Sequence, residues 1–190
     1  NSFLQGAHLY INGDLKTTMR DLQLSKPNCT LTVPLMLEAI HNQIWMAAEK
    51  NGKADSLRLL MRIAALCRKL HLPVQFKTFD TLRENISTSL RVIICGGAHL
   101  SKELSEEFEL WGIQVLQGYG ITECSPLIAV NSNYANRLGT VGRVLPSMEI
   151  RLEDGEVCVR GPSVMQGYYN NPSETSEVLT DDGWFRTGDL

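Results

Sequence analysis

Two apolar runs, each followed directly by a small-residue turn, constrain this chain more than anything else in it. Leu90 to Cys95 reads as a buried parallel strand, and Gly96-Gly97-Ala98 follows at once. Ser101 then caps a helix whose face carries Leu104, Phe108 and Trp111. Ile113 to Leu116 is the next apolar run, and Gln117-Gly118-Tyr119-Gly120-Ile121-Thr122-Glu123 stands at its end. Strand, glycine turn, helix, strand, glycine turn is the pattern of an α/β fold with a doubly wound, mainly parallel sheet and helices on both faces. In such sheets ligands bind beyond the carboxyl ends of the strands, where both glycine turns would lie.

The N-terminal half fits that class. Gly6 to Ile11 reads as a short strand, Leu15 to Leu24 as a short amphipathic helix and Thr30 to Val33 as a second strand. Pro34 opens a helix with Leu37, Ile40, Ile44 and Ala47 at helical spacing. After Asn51-Gly52 a second long helix carries Leu57, Leu60, Met61, Ala64, Ala65 and Leu72 and stops before Pro73. Beyond Pro126 the segments become short and β-rich: Thr140 to Val144, Met148 to Leu152, Glu156 to Arg160 and Trp184 to Leu190. Asp154-Gly155 makes a hairpin turn between two of them. The expected organisation is an α/β part over 1–127 and a small β-rich part over 128–190.

Composition narrows the function classes. The 190 residues carry a net charge of −3 with no block of one sign, so nothing points to nucleic acid. No apolar run approaches the ~18–20 residues of a membrane span. The five cysteines, Cys29, Cys67, Cys95, Cys124 and Cys158, are scattered and never form Cys-x-x-Cys, which fits reduced thiols in a cytoplasmic protein and no zinc site. Asn28-Cys29-Thr30 and Asn85-Ile86-Ser87 match the glycosylation pattern, but no secretory signal accompanies them. Arg58, Arg62, Arg68 and Lys69 flank an apolar helix face. A solvated face is the preferred reading, with peripheral contact to anionic lipid as the alternative. The missing initiator Met and the end at Gly188-Asp189-Leu190 give the expectation of a fragment.

The residues from Gln117 to Glu123 supply the chemistry of a nucleotide site. Glycines let a backbone come close to a ligand. Tyr119 offers a flat face for stacking, Thr122 a hydroxyl for a phosphate and Glu123 a hard oxygen for magnesium. Taken singly, Glu123 is also an ordinary carboxylate at a helix start, Tyr119 a core aromatic and Asp189 a solvated loop residue. Cys124 beside Glu123 has nothing near it in sequence to activate a thiol and reads as a packing residue.

In their order these segments resemble the adenylate-forming superfamily of acyl-CoA synthetases, firefly luciferase and peptide-synthetase adenylation domains. Gly96 to Ser101 resembles its adenine-contacting loop, with His99 where the family usually has proline. Gln117 to Glu123 resembles its Tyr-Gly-x-Thr-Glu signature. Gly139 to Pro146, Gly155 to Gly161, Met165 to Pro172 and Trp184 to Leu190 are similar to later blocks. Val33-Pro34-Leu35-Met36-Leu37-Glu38 and the phrase Val115 to Gly120 are most similar to long-chain fatty acyl-CoA synthetases, although Leu35 stands where many of those carry arginine.

The resemblance implies ATP, magnesium and CoA as reactants or cofactors. It implies a fatty acid or another carboxylic acid as substrate, with CoA or an acyl-carrier protein as acceptor. Thr122 and Glu123 would be catalytic, Glu123 holding magnesium and Thr122 meeting the α-phosphate. Gly96, Gly97, Ala98, Gln117, Gly118, Tyr119, Gly120, Thr122 and Asp189 would hold the nucleotide, with Tyr119 stacked on adenine and Asp189 on the ribose hydroxyls. Gly118 and Gly120 would admit the acyl-adenylate near the backbone. The family's phosphate loop and its C-terminal lid with a catalytic lysine have no counterpart in these residues, so the expectation is a fragment without ligase activity of its own. A non-catalytic adenylate-binding module is the alternative of a different class.

Overall fold

The helical stripes and apolar runs fold as a mixed α/β structure with a mainly parallel central sheet and a separate small antiparallel sheet. A computed structural model describes residues 6–72 and 77–190. The helices are α1 (Thr18–Ser25), α2 (Pro34–Lys50), α3 (Ala54–Lys69), α4 (Lys77–Ile86), α5 (Lys102–Leu110) and α6 (Pro172–Val178). The strands are β1 (Cys29–Thr32), β2 (Val92–Cys95), β3 (Gln114–Gly120), β4 (Leu127–Val130), β5 (Arg143–Val144), β6 (Glu149–Glu153), β7 (Glu156–Arg160) and β8 (Phe185–Arg186). The larger sheet runs β1-β2-β3-β4-β5, and the smaller β6-β7-β8. Two compact units emerge: Asn1–Ile94 with Lys102–Val115, and Cys95–Ser101 with Leu116–Leu190.

In the first unit, the predicted stripes become the core. Leu37, Ile40 and Ile44 of α2, Leu57, Met61 and Ala64 of α3, and Leu104 and Phe108 of α5 are all buried. Helix α3 packs against α2 and against α5. Pro34 sits at the first turn of α2, where its missing N–H costs nothing. Helix α3 ends at Lys69, three residues before Leu72, which is exposed; Pro73 lies outside the described residues. Arg58 pairs with Glu49 and Asp55, and Arg68 with Glu109, so half of the basic set on this helix is engaged in exposed ion pairs.

Other expectations in this unit fail. Gly6 to Ile11 forms no strand: it pairs with no ladder partner among the described residues, and Leu9, Tyr10 and Ile11 stand exposed. An isolated extended segment has nothing to satisfy its backbone groups except water. Helix α4 was not anticipated, because only Phe79 and Ile86 of its ten residues are buried and the apolar signal is thin.

A polar cluster ties α2 to α5. His41 Nε2 lies 2.7 Å from Glu107 Oε2, and the Trp45 indole N–H donates to His41 Nε2 over 2.9 Å. The His41 ring also stacks on Trp111. One nitrogen cannot accept from Trp45 and donate to Glu107 together, so the proton decides which partner it keeps. The Glu107 hydrogen bond and charge raise the His41 pKa against the effect of burial. A folded pKa above the unfolded value means the pair stabilises fully below about pH 6.5, and that the gain is lost as pH rises through the folded pKa. The urea midpoint of the wild type should therefore exceed that of Glu107→Gln in mild acid, by up to ~1 kcal/mol in stability, and the two should converge in alkali. A difference independent of pH would remove the ion pair from the account.

In the second unit, β6 and β7 form a hairpin in register from Glu149↔Arg160 to Glu153↔Glu156. Asp154 and Gly155 both take positive φ, as the tight turn requires. Strand β8 pairs with β7 through Cys158↔Arg186 and Val159↔Phe185. Ile128, Cys124, Met148, Val159 and Phe185 form the core here. The predicted strand over Thr140 to Val144 is confined to its last two residues. The short helix α6 was also unanticipated, although Asn171 at its N-cap accepts from the Glu174 N–H and Pro172 opens it.

Candidate functional site

One expected turn is not a turn. Gly118, Tyr119 and Gly120 lie inside β3, paired with β4 through Gly118↔Val130, Tyr119↔Ala129 and Gly120↔Leu127, with a bulge between Tyr119 and Gly120. The apolar run Leu127 to Val130 supplies the partner that keeps the segment extended. The irregular backbone begins after it, at Ile121, and Thr122–Cys124 forms one 3-10 turn closed by Ser125 in the left-handed region.

The glycines have packing reasons of their own. A Cβ on Gly120 would lie 2.0 Å from the Pro126 carbonyl oxygen, and one on Gly96 3.2 Å from the Gly118 oxygen. The Gly96 turn thus runs alongside Gly118, with Gly97 at positive φ and with Gly97, Ala98 and His99 exposed. Gln117 is buried, and its backbone carbonyl accepts the Asn131 N–H over 2.9 Å. Buried Asn131 in turn pins the following loop by donating to the Thr140 carbonyl and accepting from the Arg137 N–H.

Tyr119 is half-buried against the core cluster of this unit, and its hydroxyl donates to Asp189 Oδ2 over 2.5 Å. Burial, followed by that hydrogen bond, pushes the Tyr119 phenol up to about 12, so it remains a donor at neutral pH. Asp189 is held by its main chain. Its carbonyl accepts the Val157 N–H over 2.8 Å, and its N–H donates to Thr187 Oγ1 over 3.1 Å. Gly188 N–H donates to Glu156 Oε1 over 2.9 Å, while Arg186 holds the other Glu156 oxygen. The Gly188 bond, then Arg186, lowers the Glu156 pKa, so this brace holds in neutral solution and loosens as acid protonates it.

Glu123 accepts from the Tyr168 hydroxyl at Oε1 over 3.1 Å, and its carbonyl accepts the Met165 N–H over 2.7 Å. Thr122 is exposed at the start of the same turn. Cys124 is fully buried, and burial pushes its thiol up to about 11, which suits packing rather than nucleophilic attack. The structure therefore gathers Tyr119 with Asp189, and Gly96 with Gly118, and gives Glu123 a partner, Tyr168, to which sequence reasoning assigned no role. The signal for Tyr168 lies in the segment Met165 to Pro172, which is similar to one of the superfamily's later blocks.

No group of three or more His, Cys, Asp or Glu side chains placed to hold a metal occurs among the described residues. Magnesium bound chiefly through phosphate oxygens needs only one or two carboxylates. Glu123 fits that demand as a single carboxylate, with the Tyr168 hydroxyl on Oε1.

The profile of the AMP-binding enzyme family matches residues 2–169. The chain is 30% identical over 191 residues to a long-chain-fatty-acid–CoA ligase of Mycobacterium tuberculosis, an alignment covering 93% of this chain and 32% of that protein. It is 36% identical over 139 residues to a chloroplastic long-chain-fatty-acid–[acyl-carrier-protein] ligase of Arabidopsis thaliana, covering 67% of this chain and 19% of that one. The chain spans about a third or less of the length of these relatives. The o-succinylbenzoate CoA synthetase of Bacillus subtilis, solved with its acyl-adenylate intermediate, superposes with a TM-score of 0.64 at 23% identity over 98% of this chain and 33% of that one. That likeness speaks to the fold.

Proposed function

This chain belongs to the AMP-binding enzyme family, and on that premise we propose that its second unit cradles the adenylate in an ATP-dependent activation of a carboxylic acid, with a long-chain fatty acid as the acid and CoA as the acceptor. The observation that carries the reading is the Tyr119–Asp189 pair. It sets an aromatic face and an exposed carboxylate side by side, the two groups that an adenosine needs for its base and its ribose.

In the first half-reaction a substrate carboxylate attacks the α-phosphate of ATP and pyrophosphate leaves. In the second the CoA thiol displaces AMP. Little covalent help from side chains is required, so positioning and charge neutralisation dominate. Tyr119 stacks on adenine with the Gly96–Ala98 backbone alongside, Asp189 accepts the ribose hydroxyls and Thr122 meets the α-phosphate. Glu123 would hold magnesium, which would supply positive charge against the phosphates. CoA is taken as the acceptor on the likeness to the long-chain-fatty-acid–CoA ligase, with an acyl-carrier protein as the alternative.

The test is competition for bound AMP by non-hydrolysable acyl-adenosine sulfamates. The hexadecanoyl compound should bind about tenfold or more tighter than the acetyl compound, a modest part of the ~0.8 kcal/mol available per buried methylene. Equal binding of both would refute the long-chain assignment, and absence of AMP binding would refute the adenylate reading altogether.

A further inference from the structure

We propose that Tyr168 is a positioning residue for Glu123: its hydroxyl fixes one carboxylate oxygen and leaves the other for a magnesium-bound nucleotide. This rests on the adenylate reading above and extends it to a residue 45 positions from Glu123 in the chain.

The segment carrying Tyr168 is anchored at both ends of its contact with Glu123. Met165 N–H donates to the Glu123 carbonyl over 2.7 Å, so the main chain of one segment is tied to the main chain of the other. The Tyr168 hydroxyl then reaches Oε1 over 3.1 Å. Val164 and Met165 pack on the core cluster that contains Cys124, the residue after Glu123. The backbone beneath Tyr168 is fixed from the other side: its N–H donates to Thr175 Oγ1 over 2.9 Å, and that hydroxyl donates to the Asn171 carbonyl over 2.8 Å. Gly167 permits the approach, since it sits at φ +147 and a Cβ there would come within 2.8 Å of Thr175 Cγ2. Helix α6 is thus a buttress for the tyrosine.

A free glutamate samples several rotamers, and ordering it at the moment of binding costs affinity. A rigid phenol that holds one oxygen removes most of that cost beforehand. Tyrosine suits the task because its ring has few rotamers and its hydroxyl donates without bringing positive charge that would repel a cation.

The test is calorimetric titration of the 190-residue chain with AMP and with ATP, each with and without magnesium chloride. It compares wild type, Tyr168→Phe, Glu123→Gln and the double variant. Phenylalanine keeps the ring and its packing, and the melting temperature checks that the fold is retained. Magnesium should tighten ATP binding to the wild type. Tyr168→Phe should cut that gain by about tenfold, the usual range for a charge-assisted hydrogen bond, and leave metal-free AMP affinity within about twofold. In the Glu123→Gln background Tyr168→Phe should have no further effect on the magnesium gain. A Tyr168→Phe loss equal with and without magnesium, or undiminished in the Glu123→Gln background, overturns the positioning role, as does wild-type ATP binding indifferent to magnesium. A wild type that binds no adenine nucleotide overturns the adenylate reading and this inference with it.

Discussion

Replacing Gly120 by alanine should destabilise the protein on the order of 2–4 kcal/mol, the sum of an overpacking cost and a broken main-chain hydrogen bond. The added Cβ would stand 2.0 Å from the Pro126 oxygen, 2.8 Å from its carbonyl carbon and 2.9 Å from the Leu127 Cα. All three are backbone atoms, so no side-chain rotation relieves the clash. The same Pro126 oxygen accepts the Ile121 N–H over 2.8 Å, and parting the two strands would break that bond. Gly155→Ala is the control: its φ is +88 but nothing lies within 4 Å of the new Cβ, so only backbone strain of about 1 kcal/mol is expected. Urea unfolding followed by tryptophan fluorescence, to which buried Trp111 and Trp184 both contribute, reads both. If Gly120→Ala costs no more than Gly155→Ala, the pairing of β3 with β4 at the bulge is wrong.

The second large effect concerns the ligand. Asp189→Ala should weaken AMP binding about 100-fold, roughly 2.7 kcal/mol, because two hydrogen bonds to an ionised carboxylate would be lost. The variant tests the side chain alone. The Asp189 main chain stays tied to Val157 and Thr187, and Glu156 still holds the Gly188 N–H. Tyr119→Phe retains the stacking face and loses the hydroxyl that steadies Asp189, so it should fall between wild type and Asp189→Ala. AMP affinity unchanged by Asp189→Ala would take the ribose role from this residue.

The sequence was most readable where the signal is local. The stripes of α2 and α3, the Asp154-Gly155 turn and the run into β2 each depend on neighbours within a few residues, and the structure keeps them. The errors have a common physical cause. Gly118 to Gly120 look like a turn because glycine favours turns, yet β4 makes them strand, and that pairing is tertiary. Gly6 to Ile11 has strand composition without a partner among the described residues. The site divides in the same way. Gly96, Tyr119, Glu123 and Asp189 stand out through the motifs around them. The Tyr168–Glu123 contact spans 45 residues, the Tyr119–Asp189 contact 70 and the His41–Glu107 contact 66, and no periodicity encodes contacts at such separations. Helix α6 is the exception, since the Asn171-Pro172-Ser173-Glu174 cap was readable as a helix start.

The most direct test of the adenylate reading is to map AMP binding on the 190-residue chain by backbone amide chemical shifts. The account predicts shifts concentrated at Gly96 to Ala98, Tyr119 to Glu123 and Gly188 to Asp189, abolished together by Asp189→Ala in a protein that remains folded. Shifts confined to the helices of the first unit, or no shift at saturating AMP, would contradict it.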